Sequence, residues 1–260
     1  MNKKVAFFDI DGTLADNTML HEPKVVDRIP ESAKLALTQL RENGINPVLA
    51  TGRSVGMVKD LMEELKMNSV VSSNGAVVVF KGEVIWESYL SEAEVDRIAQ
   101  LLLKKKKTFI LETKDVIFQL NKGNVAVGDG SFEIVTWEGS GYPEKVIQIV
   151  VIETDEFPEG IDTGEIHAVR VGMHEYDIKK RNVTKAIGIR HLLNAENLTA
   201  EEAIAFGDEE NDMEMFQEVS FSIALGNGNE KLKAIADYVT TSVKEDGVYN
   251  ACKKYGWLGE

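Results

Sequence analysis

The spacing of short apolar runs fixes the fold class of this chain. Residues 5–10 form a mostly apolar run, the pattern of a strand buried on both faces of a parallel sheet. PESAKLALTQLRENG follows: Pro30 sits near its start, Ala33, Leu37 and Leu40 line one face, and Gly44 closes it, which predicts a helix. Residues 45–51 predict a second strand. Ser54 is the expected N-cap of a helix to about residue 65, with Met57, Leu61, Met62 and Leu65 apolar. Residues 70–73 predict a third strand, ending at the Asn74-Gly75 turn signal. This β-α-β-α-β alternation predicts an α/β fold, a Rossmann-like core whose parallel sheet is flanked by helices.

The rhythm breaks in the middle. Between about residues 81 and 180, strand patterns dominate (84–89, 108–113, 116–120, 145–152 and 166–174), and 91–106 is the one long helical pattern. The βα rhythm then returns: a helix over 184–194, strands over 203–206 and 221–225, a helix over 230–236 and a short strand over 238–241. The economical reading is a core domain made of residues 1–80 and 181–260, with an α+β cap domain, 81–180, inserted between them. A chain of 260 residues has room for both.

Composition narrows the function classes. The net charge is −14, so phosphate backbones and anionic membrane surfaces are repelled. Neither nucleic acid nor membrane is expected as a partner; a small anionic substrate remains open where a local cation offsets the field. The one cysteine, Cys252, excludes an intramolecular disulfide and reads as a buried thiol. The apolar run after Lys4 is too short for a signal sequence, and no run approaches the ~18 apolar residues of a membrane span. A cytoplasmic protein, monomeric or weakly dimeric, is expected. The histidines (His21, His167, His174, His191) lack metal-site spacing.

The first predicted strand ends in Asp9-Ile10-Asp11-Gly12-Thr13. Two carboxylates there repel each other and lose solvation, so a compensating partner is required. If the strand persists to Asp11, alternation points both into one crevice, and in open α/β sheets the crevice at the carboxyl ends of the strands is the ligand site. Adjacent carboxylates suit a hard cation, or a nucleophile beside an acid/base. The second strand delivers Thr51-Gly52-Arg53, a hydroxyl and amides suited to phosphate. The later strand delivers Gly207-Asp208-Glu209-Glu210-Asn211-Asp212, in which Asp208 can complete a Mg²⁺ site and Asp212 orient it. Lys185, near a helix start, can neutralise a phosphate.

DIDGT, LATGR, Lys185 and GDEENDMEMF, in that order, resemble the four motifs of the haloacid dehalogenase superfamily. The position of the insert, and the segment Ser72-Ser73-Asn74-Gly75-Ala76, resemble its Cof-like phosphatases with a class II cap. The resemblance implies roles. Asp9 would be the nucleophile, forming an aspartyl-phosphate. Asp11 would protonate the leaving oxygen and then activate water. Thr51, Gly52 and Lys185 would hold the phosphoryl group, with Asn211 in contact with it. Asp9, Asp11 through its backbone carbonyl, and Asp208 would bind Mg²⁺, with Asp212 in support. A phosphatase acting on small phosphorylated metabolites follows. The alternative is a phosphotransferase or phosphomutase using the same intermediate. The chain departs from the pattern at Ala186, where a glycine usually follows the lysine, and in the short ETDEFPEGIDTG stretch of the cap.

Overall fold

The computed structural model describes residues 3–19, 24–120, 133–137, 141–154, 156, 159–172 and 174–259. In chain order the elements are β1 (Val5–Phe8), α1 (Glu31–Glu42), β2 (Asn46–Ala50), α2 (Val55–Glu64), β3 (Val70–Ser72), β4 (Val77–Phe80) and β5 (Glu83–Glu87). Next come α3 (Glu92–Lys104), β6 (Thr108–Glu112), β7 (Val116–Leu120), β8 (Glu133–Trp137), β9 (Gln148–Ile152), β10 (Ile166–Gly172) and β11 (Glu175–Lys180). The last are α4 (Lys185–Ala195), β12 (Ala203–Gly207), α5 (Met213–Phe216), β13 (Ser222–Ala224), α6 (Glu230–Ile235), β14 (Tyr238–Val239) and α7 (Gly247–Lys254).

The chain divides into two compact units. The first is Met1–Gly52, Lys59–Trp86 and Thr184–Glu260; the second is Arg53–Val58 and Glu87–Val183. The first holds an eight-stranded sheet of order β14-β13-β12-β1-β2-β3-β4-β5, parallel from β14 through β3 and antiparallel between β3 and β4. All four β1 residues are fully buried, as a central strand covered on both faces requires. Helix α1 buries Ala33, Ala36, Leu37 and Leu40, the spacing that the sequence shows, and Gly44 (φ 78°) follows its end.

Strand β1 separates two chain directions. The chain passes from β1 to β2 on one side and returns much later as β12 on the other. Such a switch point opens a crevice at the carboxyl ends of the strands. Helix α4 packs on the turn after β3, and glycine is required there. A Cβ on Gly75 would lie 2.0 Å from the Thr184 carbonyl oxygen, and its φ is +93°. Gly75→Ala is therefore expected to cost about 2–4 kcal/mol, read as a lower urea midpoint at constant m-value.

The second unit holds a six-stranded sheet of order β10-β11-β9-β6-β7-β8, antiparallel except between β7 and β8. Helix α3 starts at Ser91, where a capping box with Glu94 satisfies the first amides. Its Val95, Ile98, Ala99 and Leu102 join Phe109, Leu111, Ile149, Val151 and Ile178 in one core.

Several expectations are corrected. The strand expected over 84–89 within the insert is β5, and it belongs to the eight-stranded sheet. An edge strand with Val84 and Ile85 exposed reads alike in either sheet. Strands β4, β8 and β11 and helix α7 were not anticipated. α7 carries Val248, Ala251 and Cys252 as its buried apolar residues, an i, i+3, i+4 set confined to a helix of eight residues. Cys252 is buried, and burial pushes its thiol up to about 12. His21 lies outside the described residues. Among the described residues, no helix is long and apolar enough to cross a membrane.

Candidate active site

The site is assembled at the carboxyl ends of β12, β1 and β2. Phe8 pairs with Phe206 on one side and with Leu49 on the other, so the residues that follow these strands emerge side by side. They are Asp208, Asp9 and Thr51. The Asp9 amide donates to the Phe206 carbonyl at 3.1 Å.

Strand β1 stops at Phe8, so Asp11 is not presented by strand alternation. The chain turns instead: the Ile10 carbonyl accepts from the amides of Thr13, Leu14 and Ala15, and Gly12 takes φ +96°. The turn lies hard against Asp208. A Cβ on Gly12 would sit 2.0 Å from Asp208 Oδ2, and the Thr13 hydroxyl donates to Asp208 Oδ1 at 2.8 Å. Asp11 is half-buried, and its charge helps to raise the Asp9 pKa.

Lys185 is the first residue of α4, after the N-cap Thr184. Its side chain runs through the core, and the residue is 2% exposed. The ammonium donates to Asp9 Oδ1 at 2.6 Å and to Asp212 Oδ1 at 2.7 Å. Asp212 Oδ2 in turn accepts from the amides of Asp208 and Glu209, at 3.0 and 3.1 Å. Both oxygens of Asp212 are thus engaged in holding Lys185 and the Asp208 loop in place.

Asp9, Asp208 and Asp212 offer carboxylate oxygens that all lie within 4.8 Å of one another. Three carboxylates against one ammonium leave a surplus of two negative charges. The cost falls on the carboxyls that Lys185 serves least. Burial, and then Asp212 and Asp11, raise Asp9 to about 7 in spite of Lys185. Burial and the charge of Asp9 raise Asp208 to about 8. Burial alone would lower the Lys185 pKa, but the charges of Asp212 and Asp9 outweigh it and hold the ammonium charged. An oxygen-only donor set with two surplus charges fits a hard divalent cation.

Thr51 is 2% exposed, and its carbonyl accepts from the Asn74 amide at 3.0 Å. Ser73 and Asn74 take φ values of 48° and 53°, and the buried Ser73 hydroxyl has no hydrogen-bond partner among the described residues. Left-handed non-glycine pairs of this kind concentrate at functional sites. A side chain on Gly52 would meet the Asn74 amide at 3.3 Å. Asn211 is exposed on the 3-10 turn Glu210–Asp212.

Two supporting groups escaped the sequence reading. Asn227 donates to the Gly12 carbonyl at 2.8 Å and accepts from the Val243 amide, bracing the first loop. The Asn229 amide donates to the Asp208 carbonyl at 2.7 Å. The signal is GNGN, which by itself reads as an ordinary loop. Among the described histidines, His191 stacks on Trp86 at 3.7 Å and His167 faces Arg181.

A profile of the haloacid dehalogenase-like hydrolase family matches residues 6–252. The chain is 31% identical to "Putative phosphatase YkrA" of Bacillus subtilis (strain 168) over 268 residues, covering 99% of this chain and 100% of that protein. It is 26% identical to 5-amino-6-(5-phospho-D-ribitylamino)uracil phosphatase YitU of the same organism, with 95% of each chain covered. Among solved structures, a sugar phosphatase of haloacid dehalogenase subclass IIB superposes with a TM-score of 0.79 at 27% identity, covering 98% of this chain and all of that one. The profile match over nearly the whole chain, together with these relatives, makes the protein a member of the haloacid dehalogenase-like hydrolases, and an enzyme of their Cof-like phosphatase group.

Proposed function

We propose that the enzyme hydrolyses small phosphorylated metabolites, sugar phosphates or phosphorylated cofactors, with Mg²⁺ and through an aspartyl-phosphate on Asp9. The observation that carries the reading is the buried Lys185, which bonds Asp9 on one side and Asp212 on the other. It fixes the Asp9 carboxylate and keeps a positive charge where the phosphoryl oxygens would arrive. Asp9 attacks phosphorus. Asp11, on the adjacent turn, gives a proton to the leaving oxygen and takes one from the water that cleaves the intermediate. The Thr51 hydroxyl, the Gly52 amide and the Lys185 ammonium hold the phosphoryl oxygens. Asn211 contacts the phosphate from the neighbouring turn. Asp9, Asp208 and the Asp11 backbone carbonyl hold the cation, and Asp212 positions them. When bound, Mg²⁺ supplies charge neutralisation to the phosphoryl group.

The test is phosphate release from an aryl phosphate and a panel of metabolite phosphates, with Mg²⁺ or EDTA. Metal-dependent release without an added acceptor is the expected result. Release undiminished by EDTA would sink the metal reading, and release that needs a sugar acceptor would replace hydrolysis by transfer. The pH dependence follows from the raised carboxyls. Below pH 7 both Asp9 (about 7) and Asp208 (about 8) carry protons that a cation must displace. Apparent Mg²⁺ affinity therefore rises from pH 6 to 8, and binding releases protons, seen as a buffer-dependent heat.

A further inference from the structure

Asp11 is followed in the first loop by the residue with the softest backbone. Gly12 has no room for a side chain, since a Cβ there would lie 2.0 Å from Asp208 Oδ2, and its φ of +96° suits glycine. The same freedom would leave Asp11 loosely placed unless the peptides on both sides of Gly12 are held. The peptide before it is held through the Gly12 amide, which donates to the Ala15 carbonyl at 2.8 Å. The peptide after it has only a long bond on its N–H side, from the Thr13 amide to the Ile10 carbonyl at 3.4 Å. On its carbonyl side it is gripped by Asn227.

Asn227 Nδ2 donates to the Gly12 carbonyl at 2.8 Å, and Oδ1 accepts from the Val243 amide at 2.8 Å. A carbonyl only accepts and a backbone amide only donates, so the two partners fix the orientation of the side-chain amide. Val243 opens the 3-10 turn Val243–Glu245, which is itself closed by a capping box between Ser242 and Glu245. The backbone beside Asn227 is wedged from both sides. A Cβ on Gly226 would lie 2.8 Å from the Ser242 nitrogen, and one on Gly228 would lie 2.9 Å from the Asp208 carbonyl oxygen. The Asn229 amide donates to that carbonyl at 2.7 Å. Asn227 therefore reaches the first loop from a firm base. A second tie, Lys244 to Asp16 at 3.7 Å, joins the same turn to the far end of the loop, but the lysine is half-exposed and the pair contributes little.

We propose that Asn227 is a positioning residue for Asp11: it fixes the peptide after Gly12 and so holds the acid/base carboxyl in place. The inference rests on the role given to Asp11 in the proposed reaction. Asn227 acts through Gly12 and takes no part in the chemistry itself. Its side chain is exposed, so its loss costs the whole protein little, whereas the order of a loop built round a glycine depends on it locally.

The experiment uses Asn227→Ala and Asn227→Asp in the full chain. Aspartate keeps an acceptor for the Val243 amide but sets a carboxylate oxygen against the Gly12 carbonyl, so it removes one of the two bonds and serves if the alanine variant does not fold. Hydrogen exchange of the metal-free protein reads the loop directly. The amides of Gly12, Leu14 and Ala15 are expected to exchange about tenfold faster in either variant, with those of β1 and β12 unchanged. The melting temperature stays within about 3 °C of the parent. kcat/KM reports the step that expels the leaving group. It should fall about tenfold for alkyl phosphates and less than about threefold for p-nitrophenyl phosphate, whose phenolate leaves without a proton.

The sharpest comparison is Asp11→Asn with and without Asn227→Ala. Where residue 11 cannot transfer a proton its placement no longer matters, so the second substitution should cost alkyl phosphates less than about threefold there, against about tenfold in the parent. A merely structural role would cost the same in both backgrounds and would overturn the proposal. Unchanged loop exchange, or equal losses on alkyl and aryl phosphates, would overturn it too. If the parent releases no phosphate from either class while the variant loop exchanges faster, the hydrolytic reading fails and the brace on the first loop stands. Release from both classes with loop exchange unchanged in the variants keeps the phosphatase and removes the brace.

Discussion

Asp9→Asn is expected to lower turnover by about four orders of magnitude or more, while the protein becomes no less stable than its parent. The first half follows from the proposed chemistry, since an amide oxygen is too weak a nucleophile to form the acyl-phosphate. The second half follows from the electrostatics. Burial holds the Asp9 carboxyl at about 7 even with Lys185 attached, so the folded state carries an unfavourable charge at this position above that pH. Asparagine removes the charge, and its side-chain oxygen can still accept from Lys185, which keeps Asp212 as its ionic partner. The unfolded carboxyl titrates near its ordinary value and the folded one near 7, so the native carboxyl loses stability as pH rises between them. The advantage of Asn over Asp should accordingly grow from pH 5 to 8 in metal-free melts. A variant that retains full turnover would remove Asp9 as the nucleophile. One that melts well below the parent at pH 8 would show that the carboxylate is structurally needed. Asp11→Asn beside it is expected to impair metabolite phosphates, whose alkoxide leaving groups need a proton, more than an aryl phosphate, whose phenolate does not.

Lys185→Met is expected to fail in both respects at once. Lys185 is 2% exposed, and its ammonium is held by Asp9 at 2.6 Å and Asp212 at 2.7 Å. Methionine fills much the same volume but leaves Asp9, Asp208 and Asp212 clustered with no cation. Breaking a buried pair in this way costs about 3–5 kcal/mol, where exposed pairs such as Lys231–Glu210 contribute little. The deficit should be smaller at pH 6 than at pH 8, because protons on the raised carboxyls then replace the missing charge. Added Mg²⁺ should recover part of the melting temperature without recovering turnover. Recovered turnover would show that Lys185 serves the fold alone. Lys185→Arg is not a conservative control, since a planar fork cannot take the place of a compact ammonium between two carboxylates.

The helices and strands that carry the motifs are legible in the sequence because each couples a strong period to an abrupt polar end. β1 reads as four apolar residues and then Asp9, and α4 opens on the Thr184 cap immediately before Lys185. The less legible parts are those whose meaning depends on distant partners. β5 is half-exposed, and nothing local says which sheet it joins. α7 is eight residues long, and the cover that its buried Val248, Ala251 and Cys252 receive from α1 is not written in the local sequence. Asn227 looks like any loop asparagine until its amide is seen donating to the Gly12 carbonyl. Asp11 was expected to reach the crevice by strand alternation, but β1 ends at Phe8 and Asp11 lies in the turn that follows, half-buried and near enough for its charge to raise Asp9.

The sequence alone determined the kinds of groups present and their order: two aspartates after a buried strand, a threonine and glycine after the next, then a lysine and a second acidic run. Hydrophobic periodicity and turn chemistry are local, so they can be read locally. Only the tertiary structure decided that Lys185, 176 residues from Asp9, lies within hydrogen-bond distance of it. The reason is topological: β1 is the strand from which the chain departs on one side and beside which it returns on the other. The charge states were decided there as well. A carboxyl raised to about 7 at Asp9 and to about 8 at Asp208 is a property of burial beside other carboxyls, and neither exists until the sheet has formed.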